Sequence, residues 1–166
     1  MPLDRFSAAW RESYVTSAFN NEFENERKEC VFCALGSETV DPSTGVLKKS
    51  TYNFVVLNAF PYGSGHLLVV PYRHVASLDE LSDDEYDDFS LLLREVTVAL
   101  EKAYKPDGMN VGMNLGTAGG AGIPQHLHAH ALPRWNGDTN FMTSIGETRV
   151  LSESLESTWR KVHAHL

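Results

Sequence analysis

The sequence has no apolar run that approaches the roughly 20 residues a membrane-spanning helix needs. Its 166 residues include only two cysteines, which excludes a framework of disulfide bonds. Basic residues are also scarce: 14 lysines and arginines stand against 22 aspartates and glutamates, and the formal net charge is −8. A protein that binds nucleic acid through its phosphates needs a basic surface, so we expect no nucleic-acid partner, although one small pocket can still be locally positive.

The first residues, MPLDRFSAAWRESY, carry acids in an amphipathic pattern, which differs from the apolar stretch of a signal peptide. We therefore expect a cytoplasmic protein with reduced cysteines and no membrane partner. Apolar residues make up 42% of the chain and charged residues 22%, a composition typical of a folded domain.

The pattern of apolar residues predicts an α+β fold, because helices and strands alternate irregularly and helices are too few for a doubly wound parallel sheet. A capping box at Ser82 and Glu85 precedes a long helix that we predict over residues 83–104. A second amphipathic helix is predicted over residues 4–19, and a turn-rich loop over residues 36–50. Strands are predicted at 53–58, 66–71, 109–115 and 126–132.

Three histidines, His126, His128 and His130, alternate with apolar residues in HLHAHAL. Residues two apart on a strand share a face, and three imidazoles on one face are rarely a packing solution, because neutral rings need partners and charged rings repel. Two chemistries fit this pattern. One is a catalytic zinc held by three histidines, and the other is covalent nucleotidyl transfer with an imidazole as nucleophile.

Two further motifs flank this run. The loop GTAGGAG at residues 116–122 is rich in glycine, which lets backbone N–H groups approach and hold anionic oxygens. The pair Cys30-x-x-Cys33 is by itself a weak signal that fits either redox chemistry or zinc, and the absence of a βαβ pattern disfavours a thioredoxin-like role.

HLHAHAL resembles the histidine-triad pattern His-x-His-x-His-x-x, and PRW follows it where the histidine-triad family often has Pro-Arg. CVFC, VVLNAFPYGSGHLLVVPYRHVASL and MNVGMNLGTAGG occur in the order and spacing of that family, so the resemblance covers residues 30–145. AAWRESYV and RWNGDTNFMTSIGETRVL resemble the fragile-histidine-triad branch, in particular actinobacterial diadenosine-polyphosphate phosphorylases and hydrolases. We accordingly divide the chain into an N-terminal helical extension (1–29), the histidine-triad domain (30–145) and a C-terminal extension (146–166).

The resemblance implies catalytic roles for three histidines. His128 would be the nucleophile that attacks the α-phosphorus, and His130 would contact the scissile phosphate and help the leaving group. His66 would support the triad from the adjacent strand. The substrate-binding positions that the resemblance implies are Asn58, Asn114, Gly116, Thr117, Gly119, Gly120, Gly122 and His130.

The chain departs from the family just before the triad, where relatives often carry a Ser or Gln that bonds the bridging or leaving oxygen. Gly122, Ile123 and Pro124 stand there, and Gln125 is directly adjacent to His126. Thr117 or Gln125 are the candidates to replace that group, although alternation along the strand predicts that Gln125 points away from the histidine face.

Zinc-bearing relatives supply two further ligands to a Cys-x-x-Cys pair, and they match His74 and His126 in this chain. The resemblance therefore implies a structural zinc held by Cys30, Cys33, His74 and His126. Because protein ligands would close that site, the zinc would not be the catalyst. No organic cofactor is expected.

Together these features predict an antiparallel sheet of about five strands with one long helix and terminal helices, and the resemblance implies a homodimer. The predicted function is cleavage of dinucleoside polyphosphates at an α-phosphate, with inorganic phosphate or water as acceptor. Three alternatives stay open: hydrolysis of nucleoside phosphoramidates, nucleotide binding with little turnover, and an open metal site made by the three triad histidines.

Overall fold

The computed structural model describes residues 30–139 and 152–166, and the helix predicted over residues 4–19 lies outside them. Five strands form one antiparallel sheet in the order β1-β2-β3-β5-β4. The elements are α1 (Val31–Ser37), β1 (Val46–Lys49), β2 (Asn53–Leu57), β3 (Leu67–Pro71), a 3-10 turn (Leu78–Glu80), α2 (Asp83–Tyr104), β4 (Gly108–Met113), β5 (Ala129–Arg134) and α3 (Leu155–His163). The predicted α+β class, with its five-stranded sheet and one long helix, is confirmed.

The long helix α2 has the bounds that its local sequence predicts. The Ser82 hydroxyl accepts the N–H of Glu85, and the Glu85 carboxylate accepts the N–H of Ser82, so the capping box is formed. The helix ends at Tyr104, and the residue that caps it, Lys105, has a left-handed backbone with φ of 46°. Its apolar face, which includes Phe89 and Val96, packs on one face of the sheet and forms the larger core cluster.

The loop predicted over residues 36–50 is wrong in part, because that segment contains the end of α1 and the whole of β1. Val46 and Leu47 are both fully buried, since one faces each of the two core clusters. Adjacent buried residues give no alternation, and a four-residue strand is too short for its periodicity to be visible among turn-forming neighbours.

The C-terminal helix α3 completes the core beside β1. The indole N–H of Trp159 donates to the carbonyl of Val46 at 2.8 Å, and Nδ1 of His163 donates to the carbonyl of Leu47 at 2.9 Å. The carbonyl of Val46 also accepts the N–H of Asp41, so α3 and this short bridge together cover the edge strand β1. Trp159 is packed in the same cluster as α2, so α3 belongs to the core, and the domain boundary at residue 146 stays a prediction.

The other face of the sheet carries a smaller core cluster that positions the candidate site. Phe32 of α1 packs there with Phe54, Leu68 and other strand residues. Leu68 lies directly opposite His130 across β3 and β5, so His130 projects from this face, away from α2. Among residues 30–139 and 152–166, no helix has the length and apolar character that crossing a membrane requires.

Candidate active site and metal centre

The three triad histidines lie together, but they do not all belong to the strand. Strand β5 begins at Ala129, so His126 and His128 lie in the segment just before it and His130 lies within it. The rings of His128 and His130 are 5.0 Å apart between centroids. His126 points toward the cysteines, whereas His128 and His130 lie side by side. The predicted face of three histidines is therefore split, because His126 belongs to the cysteine cluster and only the other two remain as a pair.

His128 is buried, and its hydrogen bonding fixes one tautomer. Its Nδ1 lies 2.8 Å from the carbonyl of His126, and because a carbonyl only accepts, Nδ1 carries the hydrogen. Burial lowers the pKa of His128, although the bond to the His126 carbonyl acts in the opposite direction. In the neutral ring, Nε2 is therefore an unprotonated lone pair, as a nucleophile requires.

A chain of hydrogen bonds gives His130 the opposite tautomer to that of His128. The N–H of Tyr62 donates to Nδ1 of His66 at 3.0 Å, so the hydrogen of a neutral His66 ring is on Nε2. That Nε2 lies 2.9 Å from Nδ1 of His130 and donates to it. The hydrogen of a neutral His130 is then on Nε2. His128 thus offers a lone pair and His130 offers an N–H.

Asn58 follows β2 and holds the segment that carries His66. Its amide nitrogen lies 3.3 Å from Nδ1 of His66, and its amide oxygen accepts the N–H of Phe60 at 2.9 Å. Its backbone N–H donates to the carbonyl of His66 at 3.1 Å. The structure therefore shows Asn58 as a support for His66, and its predicted contact with ribose hydroxyls stays a prediction.

Two cysteines and two histidines form a compact cluster, in which the four ligand atoms all lie within 4.8 Å of one another. Cys30 and Cys33 come from the start of α1, while His74 follows β3 and His126 precedes β5. Nδ1 of His126 lies 3.3 Å from Sγ of Cys30 and 3.6 Å from Sγ of Cys33, and Nδ1 of His74 lies 3.3 Å from Sγ of Cys33. A tetrahedral zinc with bonds of about 2.3 Å to sulfur and 2.0 Å to nitrogen separates such atoms by about 3.5 Å, so the cluster fits zinc.

The orientation of His126 suits this cluster. Its Nε2–H donates to the carbonyl of Pro71 at 2.9 Å, which leaves Nδ1 without a hydrogen and directed at the two sulfur atoms. Burial lowers the pKa of His126, so the ring favours the neutral form that binds metals. A backbone carbonyl that fixes the tautomer in this way is typical of metal-binding histidines.

The glycine-rich loop forms a tight turn between β4 and β5. Gly116 and Gly120 have positive φ angles of 68° and 85°. At Gly119 a Cβ would stand only 2.4 Å from the carbonyl oxygen of Leu115, so only glycine fits. The N–H groups of Gly120 and Ala121 donate within the turn, to Thr117 and Gly116 respectively, so a phosphate cradle would use other N–H groups of the loop.

A cavity of about 580 Å³ opens beside His66 and His130. Asn114, one of the predicted substrate residues, lines it. Its far end is formed by Asn110, Arg134, Trp135 and Asp138, which sequence reasoning did not single out.

The HIT domain profile matches residues 39–137, which is more than half of the chain. The chain belongs to the HIT family. It is 41% identical over 115 residues to an AP-4-A phosphorylase of Mycobacterium tuberculosis, a match that covers 69% of this chain and 59% of that protein. The chain thus spans about three fifths of the length of this curated relative. A bis(5'-adenosyl)-triphosphatase of Saccharomyces cerevisiae is 35% identical over 91 residues, which cover 54% of this chain and 44% of that protein.

Solved structures agree on the fold. A Zn-bound histidine triad family protein from Mycobacterium smegmatis matches with a TM-score of 0.66 and 24% identity, covering 82% of this chain and 92% of that one. The C. elegans NitFhit protein matches with a TM-score of 0.59 and 25% identity, covering 74% of this chain and 27% of that one. The first likeness is below 25% identity and shows the HIT fold alone.

Phe32 is the residue of this HIT site that sequence reasoning missed. It stands between the two cysteines, it is buried, and its ring centroid lies 5.4 Å from that of His126 and 5.0 Å from that of His128. Its ring therefore contacts both a histidine of the Cys-His cluster and the candidate nucleophile. A large apolar residue between two predicted ligands was the available signal, since such a side chain on a short helix has to pack against something.

Proposed function

We propose that this HIT protein cleaves dinucleoside polyphosphates of the diadenosine tetraphosphate type at an α-phosphate, through a nucleotidyl group carried on His128. The observation that carries the proposal is that two neighbouring rings have opposite tautomers. Nε2 of His128 has a free lone pair, and Nε2 of His130 carries a hydrogen. A nucleophile beside a hydrogen-bond donor suits displacement at phosphorus, because the donor can stabilise the charge that develops on the leaving oxygen. The names of the mycobacterial phosphorylase and the yeast triphosphatase support this substrate class.

The first step forms a bond between Nε2 of His128 and the α-phosphorus, while the bond from phosphorus to the bridging oxygen breaks. The leaving nucleotide departs as a phosphate anion, and its oxygen accepts a hydrogen bond from Nε2–H of His130. In the second step water or inorganic phosphate attacks the same phosphorus, the bond to His128 breaks, and the proton that the acceptor loses passes to solvent. His130 keeps its hydrogen throughout, and His128 returns to the neutral ring with its hydrogen on Nδ1.

We assign the binding of the substrate to the residues around this pair. Asn114 in the cavity and the loop that includes Gly116, Thr117, Gly119 and Gly122 would hold the oxygens of the reacting phosphate. Gly120 shapes the loop, because its own N–H bonds Thr117. Ribose binding by Asn58 would compete with its present contact to His66.

We further propose that the Cys30–Cys33–His74–His126 cluster holds a structural zinc. Such a metal would join the start of α1 to the segment that carries His128, and it would supply stability rather than chemistry. The Zn-bound relative of known structure supports this assignment. Metal analysis of protein purified without chelators should give about one zinc per chain, and active protein without metal would contradict the assignment.

We also propose a cytoplasmic homodimer. Strand β4 lies at the edge of the sheet, and Val111 on this strand is exposed, as are Leu91 and Val98 on α2. A sheet edge that pairs with no other strand among residues 30–139 and 152–166, together with exposed apolar side chains, favours association with a second copy. Light scattering should report twice the mass of the chain, and a monomer at micromolar concentration would refute this part of the proposal.

The decisive experiment follows the covalent intermediate. Wild-type protein mixed with diadenosine tetraphosphate should give a burst of nucleotidylated protein and retention of configuration at a chiral α-phosphorus, because two displacements occur. His128→Ala should lower kcat by several orders of magnitude, while His165→Ala, in the exposed C-terminal segment, should have no effect. Products formed with and without inorganic phosphate identify the acceptor. Inversion of configuration, or near-normal turnover by His128→Ala, would refute the mechanism.

A further inference from the structure

The cavity beside His130 extends well beyond the reacting phosphate. His130, Leu132 and Arg134 are alternate residues on one face of β5, and Asn110 lies opposite Leu132 on β4. Four residues of strand separate His130 from Arg134, which corresponds to roughly 13 Å. The volume of about 580 Å³ is in the range of small-molecule sites, so the cavity can contain more than a phosphate group.

The far end of the cavity is built from ordered polar groups. Arg134 donates through Nε and Nη2 to the two carboxylate oxygens of Asp138, at 2.6 and 2.7 Å, and through Nη1 to the side-chain oxygen of Asn110 at 2.7 Å. Asp138 also accepts the backbone N–H of Trp135 at 3.1 Å. This network holds the guanidinium in place without substrate, and the hydrogen bonds between the two side chains raise the pKa of Arg134 and lower that of Asp138.

These groups match the parts of a nucleotide. A fixed guanidinium binds phosphate oxygens, a carboxylate accepts hydrogens from ribose hydroxyls or a base amine, and the indole of Trp135 offers a surface on which a base can stack. A bare inorganic anion is a poorer match, because Asp138 already neutralises much of the charge of Arg134.

The direction of the reaction selects which nucleotide occupies the cavity. In-line displacement puts the leaving group on the side of phosphorus opposite the nucleophile. His130 lies between buried His128 and the cavity, and its Nε2–H is the group that can donate a hydrogen bond to the leaving oxygen. The departing part of the substrate therefore extends from His130 along β4 and β5, and an acceptor that attacks the same phosphorus enters by the same route.

We propose that the cavity formed by Asn110, Leu132, Arg134, Trp135 and Asp138 is the subsite for the leaving nucleotide of a dinucleoside polyphosphate. The proposal rests on the proposed function, and it adds that the substrate is held at two subsites. One nucleotide is bound at the triad and the other at Arg134 and Trp135. A substrate with a small leaving group would not reach this subsite, so it would not depend on these residues.

The test compares two substrates in wild-type protein and in single variants. Diadenosine tetraphosphate has a nucleotide as leaving group, whereas the p-nitrophenyl ester of AMP has a small one. Arg134→Gln and Trp135→Ala should each lower kcat/KM for diadenosine tetraphosphate by about tenfold or more, as expected when a hydrogen bond to a charged group or a stacking contact is lost. Both variants should leave kcat/KM for the ester within about twofold. Arg160→Gln, which removes an exposed arginine paired with Glu156 on α3, is the matched control and should change neither value.

The outcomes separate this proposal from the proposed function. Equal losses on the two substrates, or no loss on either, would overturn the subsite while leaving the chemistry at His128 in place. Wild-type protein that cleaves neither substrate would overturn the proposed function, and the subsite with it. Thermal unfolding of each variant identifies a folding defect, and the chemically different changes at Arg134 and Trp135 keep the result interpretable if one of them is unstable.

Discussion

Replacement of Phe32 by alanine tests whether packing between the Cys-His cluster and the candidate nucleophile holds His128 in position. The Phe32 side chain is only 5% exposed and its ring contacts those of His126 and His128. Removing a buried phenylalanine costs about 3–5 kcal/mol of unfolding free energy, and each ring contact accounts for about 0.5–1.5 kcal/mol of this. In a domain of this size each kcal/mol corresponds to about 2–4 °C in Tm, so we expect Tm to fall by roughly 6–20 °C.

Activity should fall as well, because the missing ring leaves a space beside His128. A nucleophile misplaced by about 1 Å loses on the order of a hundredfold in rate, so we expect kcat to fall by roughly ten- to a hundredfold at a temperature where the variant is folded. The measurement is the rate of the nucleotidylation burst, which reports the attack by His128 directly.

Phe54→Ala is the matched control for this experiment. Phe54 is fully buried in the same cluster, but its ring stacks on Tyr72 at 5.4 Å. It should lose at least as much stability as Phe32→Ala while keeping its burst rate. If the two variants have equal burst rates, Phe32 does not position His128 and the reasoning fails.

Three further predictions concern stability, pH and assembly. Trp159→Phe should lower the free energy of unfolding by about 0.5–1.5 kcal/mol in urea, because the indole hydrogen bond to the carbonyl of Val46 is lost while the N–H of Asp41 still donates there; an unchanged midpoint would contradict this. Hydrogen bonds from Arg73 lower the pKa of Glu85 from 4.5 to about 2, so ionised Glu85 stabilises the fold above pH 4.5 and this contribution is lost between pH 4.5 and 2. Glu85→Gln should therefore be destabilised relative to wild type at pH 7 and much less so at pH 2, and a difference that does not depend on pH would argue against the ion pair. Deletion of residues 1–20, which carry the predicted N-terminal helix, should change the oligomeric mass or KM and preserve kcat, as light scattering and kinetics would show.

Local sequence determined the parts of this protein that depend on neighbours along the chain. The bounds of α2 follow from the capping box at Ser82 and Glu85 and from an apolar repeat that continues for 22 residues. The spacing of His126, His128 and His130 by itself indicates a cluster of reactive side chains. These features are recoverable because capping and periodicity act within one or two turns of helix or a few residues of strand.

Tertiary structure decided what those residues do. The sequence does not tell which nitrogen of His128 or His130 holds the hydrogen, because each tautomer is set by a partner: the carbonyl of His126 for one, and Nε2 of His66 for the other. His66 and His130 are 64 residues apart in the chain, and the register of β3 against β5 brings them together.

Strand β1 and the far end of the cavity were also invisible to local patterns. Residues 46–49 become a strand only because β2 pairs with this segment and α3 covers the carbonyls of Val46 and Leu47. Arg134 gains its fixed position from Asn110 on the neighbouring strand and Asp138 in the following turn. Short strands and polar networks depend on partners supplied by the fold, and neither has a period of its own for the sequence to display.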